Sequence, residues 1–537
     1  MINLEKIFFK KYIINSNYIS KRKFISEDDI MEYLIGLDIG TSSTKAIAFD
    51  LLGHVISKCN IGYPILNPKS SFSEQNPEEI FEAVINSIKY VVNENDNQGN
   101  KLLGVSFSSA MHGIMAVKEN GEKLTNCIIW ADTRSVEYAE SIKDSKIGHE
   151  IYMKTGTPIH PMSPLCKLAW MKDNMDLIFK NTYKFISIKE YIFFKFFGKY
   201  VVDYSIASST GLFDIYELQW NKNSLEVAGI SEDKLSTPVP PTQIFKGVDQ
   251  KYADLMGIDL KTPFIIGGSD GCLANLGANA IKPGDAAVTI GTSGAIRIIA
   301  DKPKNDENER IFSYILTEDH FVLGGPVNNG GIIFRWFRDN FSHLELAQAE
   351  TLGVDAYELL TVEASKVPAG ANGLIFLPYL LGERAPHWDA NSRGVFFGIN
   401  ITHKREHFLR ALLEGVMFGV YSVGKALEET TGNINTIYAT GGFVRSELWV
   451  QMLADVFNKE VVIAESYESS CLGAVVLGMK AIGLIDNIEE VEKLVPISKI
   501  FKPDIVNHQV YMKTFEIYER LYLKLKDEFI NIGLLQK

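Results

Sequence analysis

Asp270 is the residue of this sequence that is best placed for acid–base chemistry. It follows the apolar run Phe264 to Ile266 and the corner Gly267-Gly268-Ser269, which together predict a strand that ends at a cleft. A carboxylate there can hold a hydroxyl in line and accept its proton, which phosphoryl transfer to an alcohol requires. The alternative is that Asp270 caps a helix that begins near Cys272, and the residues alone do not decide between these roles.

Two matching turns, Gly40-Thr41-Ser42 and Gly291-Thr292-Ser293, each stand between two apolar strands. Glycine lets backbone N–H groups approach an anion closely, and the hydroxyls add further donors. One such turn is weak evidence because Gly and Ser are common in turns. Two of them predict a polyphosphate that is held from both sides. The sequence has no GxxxxGK[ST] run, which excludes a Walker-type nucleotide site.

Asp38 lies inside an apolar strand, immediately before the first turn. A carboxylate in that setting is costly unless it has partners. We interpret it as a ligand, through water, of the Mg²⁺ that accompanies a nucleotide. The alternative is an acid that accepts hydrogen bonds from the turn itself.

Other polar residues also follow predicted strands. Met111-His112 and Asp132-Thr133-Arg134 have side chains that suit hydrogen bonds to a polyol, although a lone histidine on such a loop is more often structural. Gly441-Gly442 and Ser446 stand between the strand over 436–439 and a helix over 447–457. They could let the backbone pack against a base or a ribose, but a plain strand–helix turn is the simpler explanation.

The elements that position these residues form an α/β pattern. Strands are predicted over 33–40, 44–50 and from Val55, joined by tight turns into an antiparallel meander. A helix with Pro77 in its first turn follows, and a strand returns over 102–106. The strand, Gly-Thr-Ser turn and strand recur in the second half, which predicts two related domains with a boundary near Pro283-Gly284.

Composition narrows the class of protein. The 537 residues carry a net charge of −12, which argues against a nucleic-acid partner and against an anionic membrane surface. Five scattered cysteines without a CxxC pair predict reduced thiols, and no apolar stretch is long enough for a transmembrane helix, so we expect a cytoplasmic protein. Residues 1–32 differ from the rest, and we expect a disordered extension there, with Met31 as an alternative start.

Together these residues resemble the FGGY family of carbohydrate kinases. The stretch Met162 to Asn174 looks like the first family signature, and the stretch from Gly394 to Glu414 looks like the second. The resemblance implies two actin-like (ribonuclease H-like) domains, 33–280 and 281–537, with ATP in the cleft between them and Asp270 as the catalytic base. It also implies Mg²⁺ as the metal. The implied phosphate-binding residues are Gly40, Thr41, Ser42, Thr44, Gly291, Thr292 and Ser293. The implied adenosine-binding residues are Gly331, Gly441, Gly442 and Ser446.

The expected substrate is a small sugar or sugar acid. Glycerol kinases carry an Arg-Glu pair where this chain has Met111-His112, and Gln where it has Gly271, so glycerol is not favoured. Xylulokinases have Met-His but usually Asn after the catalytic Asp. The run from Ala110, and the run from Thr155 to Leu165, look most like the gluconate kinases of the family.

A sugar acid would gain from a cation opposite Asp270. The candidate cations are Arg134, His160, His112 and Lys189, and Arg134 is best suited to a bidentate contact. Phosphorylation of xylulose or another pentulose stays open, as does a non-catalytic actin-like protein that binds nucleotide. A homodimer is compatible with the sequence.

Overall fold

We analysed a computed structural model that describes residues 30–464 and 468–536. Residues 1–29 of the predicted extension over residues 1–32 lie outside the described residues. The first strand begins at Glu32, one residue before the predicted start. All five cysteines are free thiols, as predicted.

A six-stranded sheet forms the core of the first half of the chain. Its strands, in spatial order, are Ile244–Phe245, Phe264–Ser269, Lys101–Ser109, Glu32–Ile39, Ser43–Asp50 and Val55–Gly62. The last three form the predicted antiparallel meander, and Glu32–Ile39 runs parallel to Lys101–Ser109. Asp270 follows the strand Phe264–Ser269, which also runs parallel to Lys101–Ser109.

A seven-stranded sheet forms the core of the second half. Its strands, in spatial order, are Phe312–Thr317, His320–Val327, Gly294–Ala300, Asp285–Ile290, Thr436–Thr440, Glu460–Ala464 and Ile497–Phe501. Its central hairpin, Asp285–Ile290 with Gly294–Ala300, is flanked by the parallel strands Thr436–Thr440 and Glu460–Ala464. Because the first sheet has the same arrangement around its own hairpin, the predicted repeat is present. The domain bounds themselves stay a prediction.

Helices and short strand pairs cover these sheets. The helices are Pro77–Asp96, Val136–Lys143, Lys146–Thr155, Pro164–Asn174, Asp176–Asn181, Ile188–Phe197, Tyr204–Ser208, Lys222–Ala228, Gln250–Met256, Asp270–Gly277, Gly331–Phe341, His343–Leu352, Ala356–Ser365, Arg405–Thr431, Glu447–Phe457, Ser469–Ala481 and Ile505–Leu535. The short pairs are Glu74–Gln75 with Cys127–Ile128, Met115–Val117 with Lys184–Ile186, Val201–Asp203 with Thr237–Val239, Phe213–Asp214 with Gln219–Trp220, and Ile375–Leu377 with Val395–Phe397. The predicted helix at Pro77 is capped by Asn76, whose side chain accepts from the N–H of Glu78.

The helices Asp270–Gly277 and Ser469–Ala481 cross closely beside the first sheet. A Cβ on Gly473 would lie 2.0 Å from the carbonyl oxygen of Leu273, and a Cβ on Gly36 would lie 2.2 Å from that of Cys471. These positions therefore need glycine, and the close packing fixes the start of the helix that carries Asp270. Within residues 30–464 and 468–536, none of the helices combines the length and the apolar character that crossing a membrane requires.

Candidate active site

Asp270 is the first residue of the helix Asp270–Gly277, and Ser269 occupies the N-cap position. The alternative role of Asp270 as the cap is therefore wrong. One carboxylate oxygen accepts the N–H of Gly271 at 2.7 Å. Burial and then the Asp38 carboxylate raise the pKa of Asp270 to about 7, against the opposing effect of Arg297. A carboxylate with a pKa near neutrality can accept a proton at physiological pH.

Asp38 lies on the strand Glu32–Ile39, which the strand Lys101–Ser109 separates from the strand that leads to Asp270. Oδ1 of Asp38 accepts the hydroxyl of Ser108 at 2.7 Å, and Lys45 is its cross-strand partner in the hairpin. Burial raises the pKa of Asp38, with Ser108 and Lys45 opposing. Two carboxylates that disfavour each other's ionisation suit a divalent cation, and Mg²⁺ usually keeps several waters between itself and such ligands. These residues therefore fit Mg²⁺.

The two Gly-Thr-Ser turns each join the strands of an antiparallel hairpin, but the first turn is one residue longer. The N–H of Gly40 donates to the carbonyl of Ser43 at 3.0 Å, and the N–H of Gly291 donates to that of Ser293 at 2.9 Å. The hydroxyl of Thr41 accepts the indole N–H of Trp130 at 2.9 Å, which ties the first turn to the Trp130 loop. Ser42 and Thr292 are exposed at the tips of their turns.

Thr44, the remaining predicted phosphate-binding residue, is fully buried. Its hydroxyl lies 3.4 Å from that of Tyr63 and donates to it. The structure thus places Thr44 beneath the first turn, where it supports the hairpin.

A cavity of about 660 Å³ adjoins the second turn. Its lining includes the predicted residues Gly291, Thr292, Gly331, Gly442 and Ser446, together with Phe334, Arg335, Tyr357 and Trp449. The sequence separates these residues widely, yet the fold brings them to one wall. The volume is in the range of small-molecule and cofactor sites, and aromatic side chains with a few polar groups are typical of such sites.

Gly441 lies directly behind this wall. Its φ is +95°, and a Cβ there would lie 2.6 Å from the carbonyl oxygen of Ile290. Only glycine fits both the conformation and the space, so the close approach of the two strand ends depends on it. This places the fourth predicted adenosine residue next to the cavity.

His112 and His160, two of the four candidate cations, are uncharged. A ring nitrogen of His112 donates to the carbonyl of Ser209 at 2.7 Å, and Nδ1 of His160 accepts the N–H of Met162 at 3.2 Å. Burial lowers the pKa of each imidazole to about 3, and nearby cations lower it further. Both rings can still offer hydrogen bonds to a polyol, but neither carries a positive charge at neutral pH.

Arg134 and Lys189, the other two candidate cations, are already neutralised by acids. Arg134 binds both oxygens of the buried Asp132 and reaches Glu74 at 2.6 Å, while its guanidinium lies 3.6 Å from the ring centre of Phe72. Lys189 lies 2.6 Å from a carboxylate oxygen of Asp203. The predicted substrate residues Asp132 and Arg134 therefore bind each other, which favours a role in holding the Trp130 loop.

Two arginines that sequence reasoning missed lie in the same cleft. Arg297 is on the strand Gly294–Ala300, and Arg384 is in the segment that follows Ile375–Leu377. The one signal for Arg297 was a charged residue inside an otherwise apolar strand. Met111 approaches the same point, because a Cβ on Gly271 would lie 2.7 Å from its Cε and 3.4 Å from Nε of Arg297.

Comparisons with known proteins agree with this geometry. The model of the N-terminal domain of the FGGY family of carbohydrate kinases matches residues 33–277, and that of the C-terminal domain matches residues 286–482. A gluconokinase of Bacillus subtilis (strain 168) is 49% identical over 506 residues, which are 94% of this chain and 98% of the relative. The crystal structure of a gluconate kinase from Lactobacillus acidophilus has a TM-score of 0.89 at 36% identity, covering 94% of this chain and 100% of that one. A ligand-bound xylulose kinase from the same organism has a TM-score of 0.88 at 36% identity, with the same coverage. The predicted fold, two actin-like domains, is confirmed by these matches.

Proposed function

The chain belongs to the FGGY family of carbohydrate kinases, and from this premise we propose that it phosphorylates D-gluconate to 6-phosphogluconate with ATP. The observation that carries the proposal is Asp270, a carboxylate with a pKa near 7 that follows a strand of the same sheet as the hairpin with the first Gly-Thr-Ser turn. The 49% identity to a gluconokinase over nearly the whole chain supports gluconate as the acceptor.

In the proposed reaction, Asp270 hydrogen-bonds the 6-hydroxyl of gluconate and takes its proton as the oxygen attacks the terminal phosphorus of ATP. The bond between that phosphorus and the bridging oxygen breaks, and ADP leaves. The short contact from the N–H of Gly271 holds one carboxylate oxygen, which leaves the other oxygen for the substrate. Proton acceptance requires the ionised carboxylate, and the pKa near 7 makes that carboxylate a stronger base while part of it stays ionised at neutral pH.

The two turns are proposed to meet the phosphate groups from opposite sides. Backbone N–H groups and hydroxyls near Thr41, Ser42, Thr292 and Ser293 would stabilise the negative charge that is spread over the transferred group. Mg²⁺, held through water by Asp38, would supply further charge neutralisation when it is bound. We propose that the adenosine of ATP occupies the cavity lined by Gly331, Gly442 and Ser446.

A pentulose kinase is the second candidate, because the xylulose kinase from Lactobacillus acidophilus matches this structure about as well as the gluconate kinase does. Both candidates share the role of Asp270. They differ in the substrate end of the cleft, where gluconate presents a carboxylate and xylulose presents a hydroxymethyl ketone.

Coupled ADP release tests the proposal. The assay compares gluconate, xylulose, ribulose, glycerol and buffer at saturating ATP and Mg²⁺. We expect strong turnover with gluconate alone. Turnover with a pentulose instead would overturn gluconate as the substrate and leave the family intact. ADP release with none of the sugars would favour the non-catalytic nucleotide-binding alternative.

We also propose that the reaction takes place in the cytoplasm, which the free state of all five cysteines supports. A homodimer stays a prediction, which sedimentation of the full chain would test.

A further inference from the structure

The cleft beside Asp270 holds two guanidinium groups that lack an acidic partner. Arg134, by contrast, is ion-paired with Asp132 and Glu74. Within residues 30–464 and 468–536, no carboxylate oxygen lies within 4.0 Å, the distance limit for an ion pair, of the guanidinium of Arg297 or Arg384. A buried charge without a partner is costly, so its retention points to a ligand of opposite charge.

Arg297 contributes a buried donor that no described residue accepts. Its Nε is fully shielded from solvent and has no hydrogen-bond partner among the described residues. Burial lowers the pKa of the guanidinium, and the nearby Asp270 opposes this effect. Asp270 is close enough to act on the charge but not close enough to form an ion pair. The two charged groups are therefore separated by more than the 4.0 Å of an ion pair.

Arg384 reaches across the cleft from the second half of the chain. Its Nε donates to Oδ1 of Asn328 at 2.7 Å, and its guanidinium lies 5.2 Å from the ring centre of Trp130. Trp130 in turn binds Thr41 of the first turn. These contacts fix the plane of the Arg384 guanidinium. Its two terminal nitrogens donate to no hydrogen-bond acceptor among the described residues.

The backbone brings the two arginines together. Arg297 pairs with Gly324 of the strand His320–Val327. Two residues further along His320–Val327, the carbonyl of Pro326 accepts the N–H of Ala385, the residue after Arg384, at 3.0 Å. Burial and then the charge of Arg297 lower the pKa of Arg384 to about 10, with Glu383 opposing. The charge of Arg297 disfavours the charge of Arg384, and a single anion bound by both guanidinium groups would offset this repulsion.

We propose that Arg297 and Arg384 bind the carboxylate of the substrate and select a sugar acid over an uncharged sugar. This inference rests on the proposed function, in which Asp270 holds the hydroxyl at the far end of the same carbon chain. The gap between Asp270 and the two arginines is where that chain would lie. Gly271 lets Met111 and Arg297 pack against the start of the helix Asp270–Gly277, since a Cβ there would lie 2.7 Å from Cε of Met111 and 3.4 Å from Nε of Arg297.

The test removes each charge at nearly constant side-chain length. Arg297→Met and Arg384→Met are compared with wild type on gluconate and on glucitol, which has the same carbon chain with a hydroxyl in place of the carboxylate. Loss of a charge-assisted hydrogen bond predicts a fall in kcat/KM for gluconate of about 10- to 100-fold, mainly through KM. For glucitol we expect a change within about threefold, so the ratio of the two values falls. Arg297→Lys should recover part of the loss because it keeps the charge.

Arg520→Met is the control, since Arg520 is exposed on the last helix, Ile505–Leu535, and should leave both substrates unaffected. Equal losses for gluconate and glucitol in the two variants would overturn the inference, because the arginines would then serve Asp270 or the fold. If either methionine variant fails to fold in a thermal melt, Arg297→Gln and Arg384→Gln, which also remove the charge, provide the same ratio. Wild type that turns over a pentulose but not gluconate would overturn the proposed function, and this inference with it.

Discussion

Replacing the Asp270 carboxylate should remove activity and increase stability at the same time. Folding raises the pKa of this group from 3.8 to about 7, chiefly through burial. The folded protein therefore binds a proton more tightly than the unfolded chain does, so stability falls as the pH rises from about 4 to about 7 and is constant above. At about 1.4 kcal/mol per pKa unit, ionisation of Asp270 costs roughly 4 kcal/mol. Solvent in the open cleft screens the charge, so this figure is an upper limit.

Asp270→Asn keeps the shape of the side chain and removes the titration. We expect kcat for gluconate to fall about 10²–10⁴-fold at pH 7.5, because the general base is lost, while ATP still binds. The melting temperature should rise relative to wild type at pH 8, and the gain should disappear at pH 4. For wild type, kcat/KM should rise with pH through about 7 as Asp270 ionises.

The assays are coupled ADP release and thermal melting of the full chain across pH 4–9. Asp254→Asn is the matched control, since this carboxylate is exposed on the helix Gln250–Met256 and should change neither quantity. Turnover of Asp270→Asn within a few-fold of wild type would refute the role of the base. A stability gain that is the same at pH 4 and pH 8 would refute the cost assigned to the buried charge.

Three further outcomes are expected. Arg134→Ala should lower the free energy of unfolding by about 3–5 kcal/mol, and with it the melting temperature, because two acidic partners lose their counter-charge. An unchanged melting temperature with only a raised KM for gluconate would contradict this. Gly441→Ala should lower the free energy of unfolding by about 1–3 kcal/mol, because φ is positive there, and should raise the KM for ATP. Gly442→Ala is the control, because a Cβ there meets open space, and it should have the melting temperature of the wild type. Gly36→Ala should separate the first sheet from the helix Ser469–Ala481 and lower the melting temperature, and an unchanged melt would show that this crossing is not tight.

The local elements around the site could be predicted from the sequence because their signals are local. The meander over residues 32–62 and the helix at Pro77 follow from alternation, turn residues and capping. The matching Gly-Thr-Ser turns predicted two related sheets, which the structure contains. Asp270 was identified from its place at a strand end, and the resemblance to a family of kinases gave its role.

Which positive charge is available to a substrate was decided only by the tertiary structure. Arg134 looked free in the sequence, but Glu74, far away along the chain, joins Asp132 in neutralising it. Burial makes His112 and His160 neutral, and burial cannot be read from neighbouring residues. Arg297 and Arg384 come from separate segments, and the strand His320–Val327 contacts the backbone of both segments. The sequence by itself determined the local elements and the place of Asp270 at a strand end, since these depend on neighbours in the chain. Which charges are neutralised depends on neighbours in space.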